Sequence, residues 1–582
     1  MKTAWDLTLF YKNLQDSRIE KDQRDTDTAI ATFARTYQKD KKYLKSARAL
    51  AKALEDYEKL ILLPGARANY YVAYRKVLNV EDKAAEAVAA KLEERGTKRS
   101  NQILFFPLEL GKLSKTMQKK FLSSPVLVPY RYFLQQLFDN ARFDLSEPEE
   151  KILSLKSDVS HGRWIAATEN ILNKKTVSLE GVDIPLPEAE GLIATLPTEK
   201  RRALYQKVRS VYTSVGDSAE SEINAIYTNK KIEDELRGFK TPYEATIRGY
   251  QNDTKSILTL VDTVANNAKI SHRFYEVKRK LLNERTLTYA DRAAHVGELQ
   301  TKISFDEAVK IVREVFGELD PAYADIFDRL LNNGQTDVFP KQGKQGGAFC
   351  SSGVGLPTLV LLNHIDNFES LKTLAHEMGH AVHAERAKSQ RPLYQGHPIS
   401  TAETASTFFE TAALKRIIEK LPEEERIVAL HDSVQDNIAT VFRQIACFRF
   451  EQDLHQAVRN EGYVPKERIA DLMNIHMGAY LGPAISLTQD DGYFFVHWSH
   501  IRRFFYVYSY AYGQLISSAL HRELEKDPRF ISKVDGFLAA GESKSPKDLF
   551  KACGLDTTDA AMFKAGLSQI EKQVSELERL TK

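Results

Sequence analysis

Apolar positions recur along most of this chain at intervals of three and four residues, the spacing that gathers one face of an α-helix. Tyr43, Ala47, Leu50, Leu54, Tyr57 and Ile61 form one such stripe, and Leu567, Ile570, Val574 and Leu577 form another near the far end. A third, made of Phe368, Leu371, Leu374, Ala375, Met378 and Val382, predicts an amphipathic helix with Asn367 or Ser370 capping its start. Strand-like alternation is confined to about 346–362, where residues 356–363 read as a short buried strand feeding that third helix. The proline-bearing stretch 181–187 reads as a break, which predicts a helical N-terminal domain over 1–190 and a second domain over 191–582. The glycines of the loop 338–347 are followed by neither Gly-Lys-Ser/Thr nor a helix, so a phosphate loop is excluded. The pattern is that of a mainly α protein with a small β-sheet beside the third helix.

Composition narrows the partners. At 582 residues the chain is too long for one core. Its 82 basic and 79 acidic side chains leave a net charge of +3, so nothing in the balance calls for nucleic acid or an anionic membrane. No stretch approaches the ~20 apolar residues of a membrane span, and the first residues carry no apolar run or small-residue cleavage site. Three widely spaced cysteines, Cys350, Cys447 and Cys553, write neither a disulfide framework nor a cysteine zinc ribbon, and a cytoplasmic location is expected. The oligomeric state is not encoded in any of these features.

The chemistry sits in the third helix, in the run His376-Glu377-Met378-Gly379-His380. Residues four apart lie one above the other, so both imidazoles point the same way and share one metal ion, with Glu377 beside them to take a proton from a water. The histidine stripe His376, His380 and His383 is separate from the apolar one, so ligand face and core face do not compete. A catalytic zinc takes three protein ligands and keeps a fourth position open. His383 is two turns, roughly 10 Å, from His376 and out of reach of the same ion. The third ligand must therefore come from another element. Residues 400–410 read as a further helix on which Glu403 and Glu410 share a face. Glu403 is assigned as the ligand and Glu410 as the acceptor that orients a ligand histidine.

A His-Glu-Met-Gly-His motif, followed 23 residues after its second histidine by the glutamate of Ala-Glu-Thr-Ala-Ser-Thr-Phe-Phe-Glu, resembles oligoendopeptidase F of the thimet oligopeptidase family. Gly346-Gly347-Ala348-Phe349-Cys350 and Phe505-Tyr506-Val507-Tyr508-Ser509-Tyr510-Ala511 match as well, so the resemblance spans about 346–513. It implies a zincin-like fold of two helical halves around a deep channel and one zinc per chain. It also implies endopeptidase action on short unstructured peptides. By the same resemblance, Gly346, Gly347, Ala348 and Phe349 belong to an edge strand along which an extended substrate pairs.

Residues 497–512 hold seven aromatics and two histidines. Phe505, Tyr508 and Tyr512 fall at helical spacing, which by itself means a packed aromatic face. The resemblance adds a second implication: His500 and Tyr508 act in catalysis as hydrogen-bond donors, and His497, Tyr506 and Tyr510 line the cleft. Relatives carry Phe-Tyr where this chain has Ile501-Arg502, which leaves substrate preference open. Two rival functions share these features. A zinc carboxypeptidase or dipeptidyl carboxypeptidase of the same helical fold would need Arg502 or Arg503 for the substrate's terminal carboxylate. A catalytically silent peptide-binding protein would not need Glu377 intact.

Overall fold

The first and last stripes become helices with polar caps. Helix Ala47–Ile61 starts at Ser46, whose hydroxyl accepts the Ala49 N–H, and it buries Leu50 and Leu54 completely. Helix Ala560–Leu580 starts at Asp559, which accepts from Ala561, and it buries Leu567, Ile570, Val574 and Leu577. The structure, a computed structural model, describes residues 1–581. It is mainly α, with a few short strands in two pairs and one three-stranded sheet. Among the described residues no helix is long and apolar enough to cross a membrane.

The residues gather into two units. One takes Met1–Lys151, Thr301–Ile417 and Lys526–Cys553, and the other takes Ile152–Gln300, Ile418–Glu525 and Gly554–Lys582. Each unit thus draws on three separate stretches, where the sequence pattern suggests one cut near residue 190. The stretch predicted as a break is in fact the second arm of a hairpin, Thr176–Leu179 paired with Val182–Pro185. Glu180 and Gly181 both adopt left-handed φ, 52° and 86°, the two-residue turn whose twist matches antiparallel strands. Pro185 falls at the last position of its strand, where it is tolerated.

In the first unit, strands β1 (Thr336–Asp337), β2 (Phe349–Ser351) and β3 (Leu359–Leu361) form a sheet of order β1-β3-β2. β3 is fully buried at its centre, parallel to β1 and antiparallel to β2. It leads into α1 (Phe368–Ala387), capped by Asn367, whose side chain accepts the Ser370 N–H at 2.8 Å. All six residues of the third stripe are buried. A turn of chain later, α2 (Ile399–Lys420) begins.

Candidate metal centre

The two helices that carry the predicted ligands meet at Gly379. A Cβ there would lie 2.9 Å from the Ser406 Cα and 3.0 Å from the Phe409 Cβ, so only glycine lets α2 pack this closely on α1. The close approach has a chemical consequence. It sets the side chains of α2 that flank Ser406 and Phe409, namely Glu403 and Glu410, against His376 and His380 of α1.

His376, His380 and Glu403 converge so that one donor atom from each lies within 4.8 Å of the others. His376 Nε2 is 4.0 Å from Glu403 Oε2, and its other nitrogen, Nδ1, is 2.7 Å from Glu410 Oε2. Glu410 therefore fixes the proton on Nδ1 and leaves Nε2 as a lone-pair donor turned toward His380 and Glu403. Two imidazoles and one carboxylate, each half-buried, are a donor set that suits zinc.

The electrostatics point the same way. Burial pushes the His376 imidazole down, but the bond to Glu410 and the charges of Glu410, Glu377 and Glu403 outweigh it and hold it up at about 9. Burial raises Glu403, against the opposing pull of His376. Burial drives His380 well down, with the charge of His376 adding to it. Three carboxylates and two imidazoles crowded into a half-buried pocket are a site that gains from a cation.

Glu377 lies one residue from His376 and is 8% exposed. Burial lifts its carboxyl to about 7, opposed by His376 and by the backbone N–H of Cys350, and assisted by Glu403. Cys350 belongs to β2, so the edge strand and the candidate base adjoin. Val360 of β3 donates its N–H to Gln335 on the far flank, and Phe349 and Ser351 are the partners of Leu361 and Leu359. The alternation of an antiparallel pair then turns the main-chain groups of Cys350 away from β3, on the side where its N–H meets Glu377.

Ala348, Gly346 and Gly347 precede the strand rather than belonging to it. Gly347 has φ +77° with open space around its α-carbon, and Asn363 binds its carbonyl. His383 does not join the metal-site group. It is buried and stacks on His397 with ring centroids 4.4 Å apart. Burial makes the Cys350 thiol much harder to ionise.

The aromatic run lies in the second unit. Arg502 is buried and forked onto Glu222 of the 40-residue helix Thr198–Arg237, at 2.7 and 2.9 Å, and it also donates to the carbonyls of Phe495, Val496 and Trp498. Its donors are spent inside the fold, so of the two arginines that the carboxypeptidase alternative would need, Arg502 is not free to receive a substrate carboxylate. Arg503 remains exposed. The following residues, Phe504 and Phe505, both hold left-handed φ, 48° and 63°, a strained pair pinned by Thr246 on the Phe504 carbonyl and by Glu451 on the Phe505 N–H.

Beyond that bend the tyrosines differ in their partners. Tyr506 shares a hydrogen bond of 2.8 Å with His500 Nδ1, and the Tyr510 ring lies 5.9 Å from His500 and 5.8 Å from Tyr506. His500 is neutral at physiological pH, since burial and the neighbouring Arg443 and Arg503 bring it to about 4. Tyr508 is wholly buried and its hydroxyl accepts from Asn252 at 3.0 Å. The Tyr508 hydroxyl is thus engaged by Asn252 inside the fold, and the hydroxyl beside His500 is that of Tyr506. His497 turns elsewhere, 3.2 Å from Glu190 and stacked on Tyr212.

A mainly helical chain that brings two histidines of a His-Glu-x-x-His turn together with a glutamate of the next helix has the make-up of a metallopeptidase. The model of peptidase family M3 matches residues 197–569, and that of oligopeptidase F matches residues 109–177. The chain belongs to peptidase family M3 and is a metalloendopeptidase. It is 25% identical over 514 residues to the group B oligopeptidase PepB of Streptococcus agalactiae, covering 84% of this chain and 83% of the relative. An oligoendopeptidase F homologue of Lactococcus lactis subsp. lactis is 24% identical over 100% of this chain and 97% of its own length. Oligoendopeptidase-F from Enterococcus faecium superposes with a TM-score of 0.70 at 21% identity, over 96% of this chain and 99% of that one.

Proposed function

We propose that this metalloendopeptidase is zinc-dependent and hydrolyses short, unstructured peptides, with one zinc per chain held by His376, His380 and Glu403. The observation that carries the reading is the convergence of those three donors with Glu377 alongside and Glu410 bonded to His376. When bound, zinc would polarise the scissile carbonyl and make a water more acidic. Glu377 takes the proton of the attacking water and returns it to the leaving amine. Burial raises this carboxyl above its ordinary value, the direction that makes a carboxylate a better proton acceptor. Glu410 keeps the His376 proton on Nδ1 throughout.

The substrate's backbone pairs along the open edge of β2, and the glycines 346 and 347 let it come close. Strand pairing needs an extended chain with free main-chain groups, which a short peptide offers and a stably folded protein does not. His500 and Tyr506 serve as hydrogen-bond donors to the peptide, by the family resemblance and by their mutual bond, with Tyr510 beside them. Three free thiols support a reducing setting such as the cytoplasm.

An internally quenched peptide, offered with blocked and with free C-termini, tests the reading. Cleavage of the blocked form supports an endopeptidase. Cleavage confined to the free form means a carboxypeptidase, and binding without turnover means a peptide-binding protein.

A further inference from the structure

The second unit contains two guanidiniums with no partner. Arg292 follows the short turn Tyr289–Asp291, and Arg443 closes the π-helical turn Ala439–Arg443, a local widening often found where a helix carries function. Neither guanidinium makes a hydrogen bond or an ion pair with another described residue, and the Nε of each is buried without an acceptor. They sit over the two ends of one aromatic row. Arg292 is 5.1 Å from the Tyr289 ring, Tyr289 is 5.7 Å from Phe494, Phe494 is 5.1 Å from Trp498, and Arg443 is 5.9 Å from the Trp498 ring. The Tyr289 hydroxyl, on a side chain 4% exposed, is also unpartnered.

The surrounding charges do not balance this pair. Burial and the positive charge of Arg292 both lower the pKa of Arg443, so the two cations feel each other. The acidic groups coupled to them are the phenols of Tyr289, Tyr480 and Tyr275, which are neutral at pH 7. The neighbouring carboxylates are committed elsewhere. Asp291 is held by Arg201, Arg202 and Thr288, and Asp432 by His431 and His295. Two half-buried like charges with unfilled donors cost free energy unless an anion joins them.

We propose that Arg292 and Arg443, with the Tyr289 hydroxyl, form a binding site for a small oxyanion, supplied either by a carboxylate of the bound peptide or by a free inorganic anion. The planar fork of each guanidinium fits two oxygens sharing one charge. Arg443 also acts on His500 through its charge, which ties the site to the residue expected to hold the peptide. Only the peptide source of the anion rests on the peptidase reading.

The test uses the full chain. Millimolar inorganic phosphate, with ionic strength held by a bulky sulfonate salt, is expected to raise the thermal midpoint of the wild-type protein. The rise is expected to vanish in Arg443→Gln and in Arg292→Gln. In parallel, chelator-treated protein is titrated with acetylated peptides that differ only as Glu against Gln, or as C-terminal acid against amide. If the peptide supplies the anion, the charged member of one pair binds at least ~10-fold tighter and the gap closes in both variants, as for one charge-assisted pair. A phosphate effect without that preference assigns the site to a free anion. If Arg443→Gln does not fold, Arg443→Lys, which keeps the charge and loses the fork, is expected to weaken the response severalfold.

The proposal is overturned if neither phosphate nor any carboxylate is distinguished, or if the distinction survives both substitutions. The peptidase reading fails separately, if the zinc-loaded wild type leaves a neutral, doubly blocked peptide intact.

Discussion

Glu410 Oε2 lies 2.7 Å from His376 Nδ1, one helix reaching across to set the tautomer on another. This contact decides what His376 can do, because a proton held on Nδ1 leaves Nε2 free to ligate. Glu410→Gln should keep the fold and weaken zinc binding by roughly 10- to 100-fold, the usual effect of losing a partner behind a metal ligand. Competition with a chelator of known affinity reads this directly. An unchanged affinity would make Glu410 a bystander.

The tyrosines offer a contrast within one run. Tyr506→Phe removes the hydroxyl bonded to His500 and should lower kcat by up to ~10²-fold with little change in KM, as for a donor used mainly in the transition state. Tyr508→Phe removes a buried hydroxyl bonded to Asn252 and should cost about 1 kcal/mol of stability with kcat nearly intact. The opposite pattern of kcat would return catalysis to Tyr508.

Gly379→Ala tests the helix crossing. Alanine is the better helix former, but its methyl would press on the backbone of α2 at Ser406. A net destabilisation of about 1–3 kcal/mol is expected from overpacking, together with weaker metal retention. Denaturant unfolding measures the first. A stabilised variant would show that the helices are free to part.

Glu451 gives a pH dependence. Burial raises its carboxyl from 4.5 to about 8, with the Phe505 N–H pulling the other way. Between those values the native state keeps a proton that the unfolded chain has released, so stability falls as pH rises through this window. Glu451→Gln keeps an acceptor for Phe505 and removes the titration. Relative to wild type it should gain roughly 1 kcal/mol per pH unit across the window. Parallel stability curves for the two proteins would contradict the buried, protonated state.

Much of the centre was legible in the sequence because it depends on helical spacing alone. The separation of four in His376–His380 and of seven in Glu403–Glu410 decides which side chains share a face, whatever the rest of the chain does. The role of Gly379 was hidden, since its neighbours Ser406 and Phe409 lie on another helix. The partner of Arg502 is Glu222, 280 residues away, and no local pattern announces it. Within the aromatic run, spacing alone does not tell which tyrosine hydroxyl meets His500. Phe505, Tyr508 and Tyr512 share helical spacing and are all fully buried, the core face that this spacing marks, while Tyr506 is 5% exposed and Tyr510 is half-buried. The strained pair Phe504–Phe505, which turns those tyrosines, has no glycine to announce it.

The central claim is that Glu377 moves the proton while other residues hold the metal. Zinc content and peptide turnover measured on the same preparation of Glu377→Gln test it most directly. The account predicts about one zinc per chain, as in the wild type, with turnover reduced by a factor of ~10² or more, since the general base is lost and no ligand is. Zinc and turnover falling in parallel would contradict it and make Glu377 a structural part of the site.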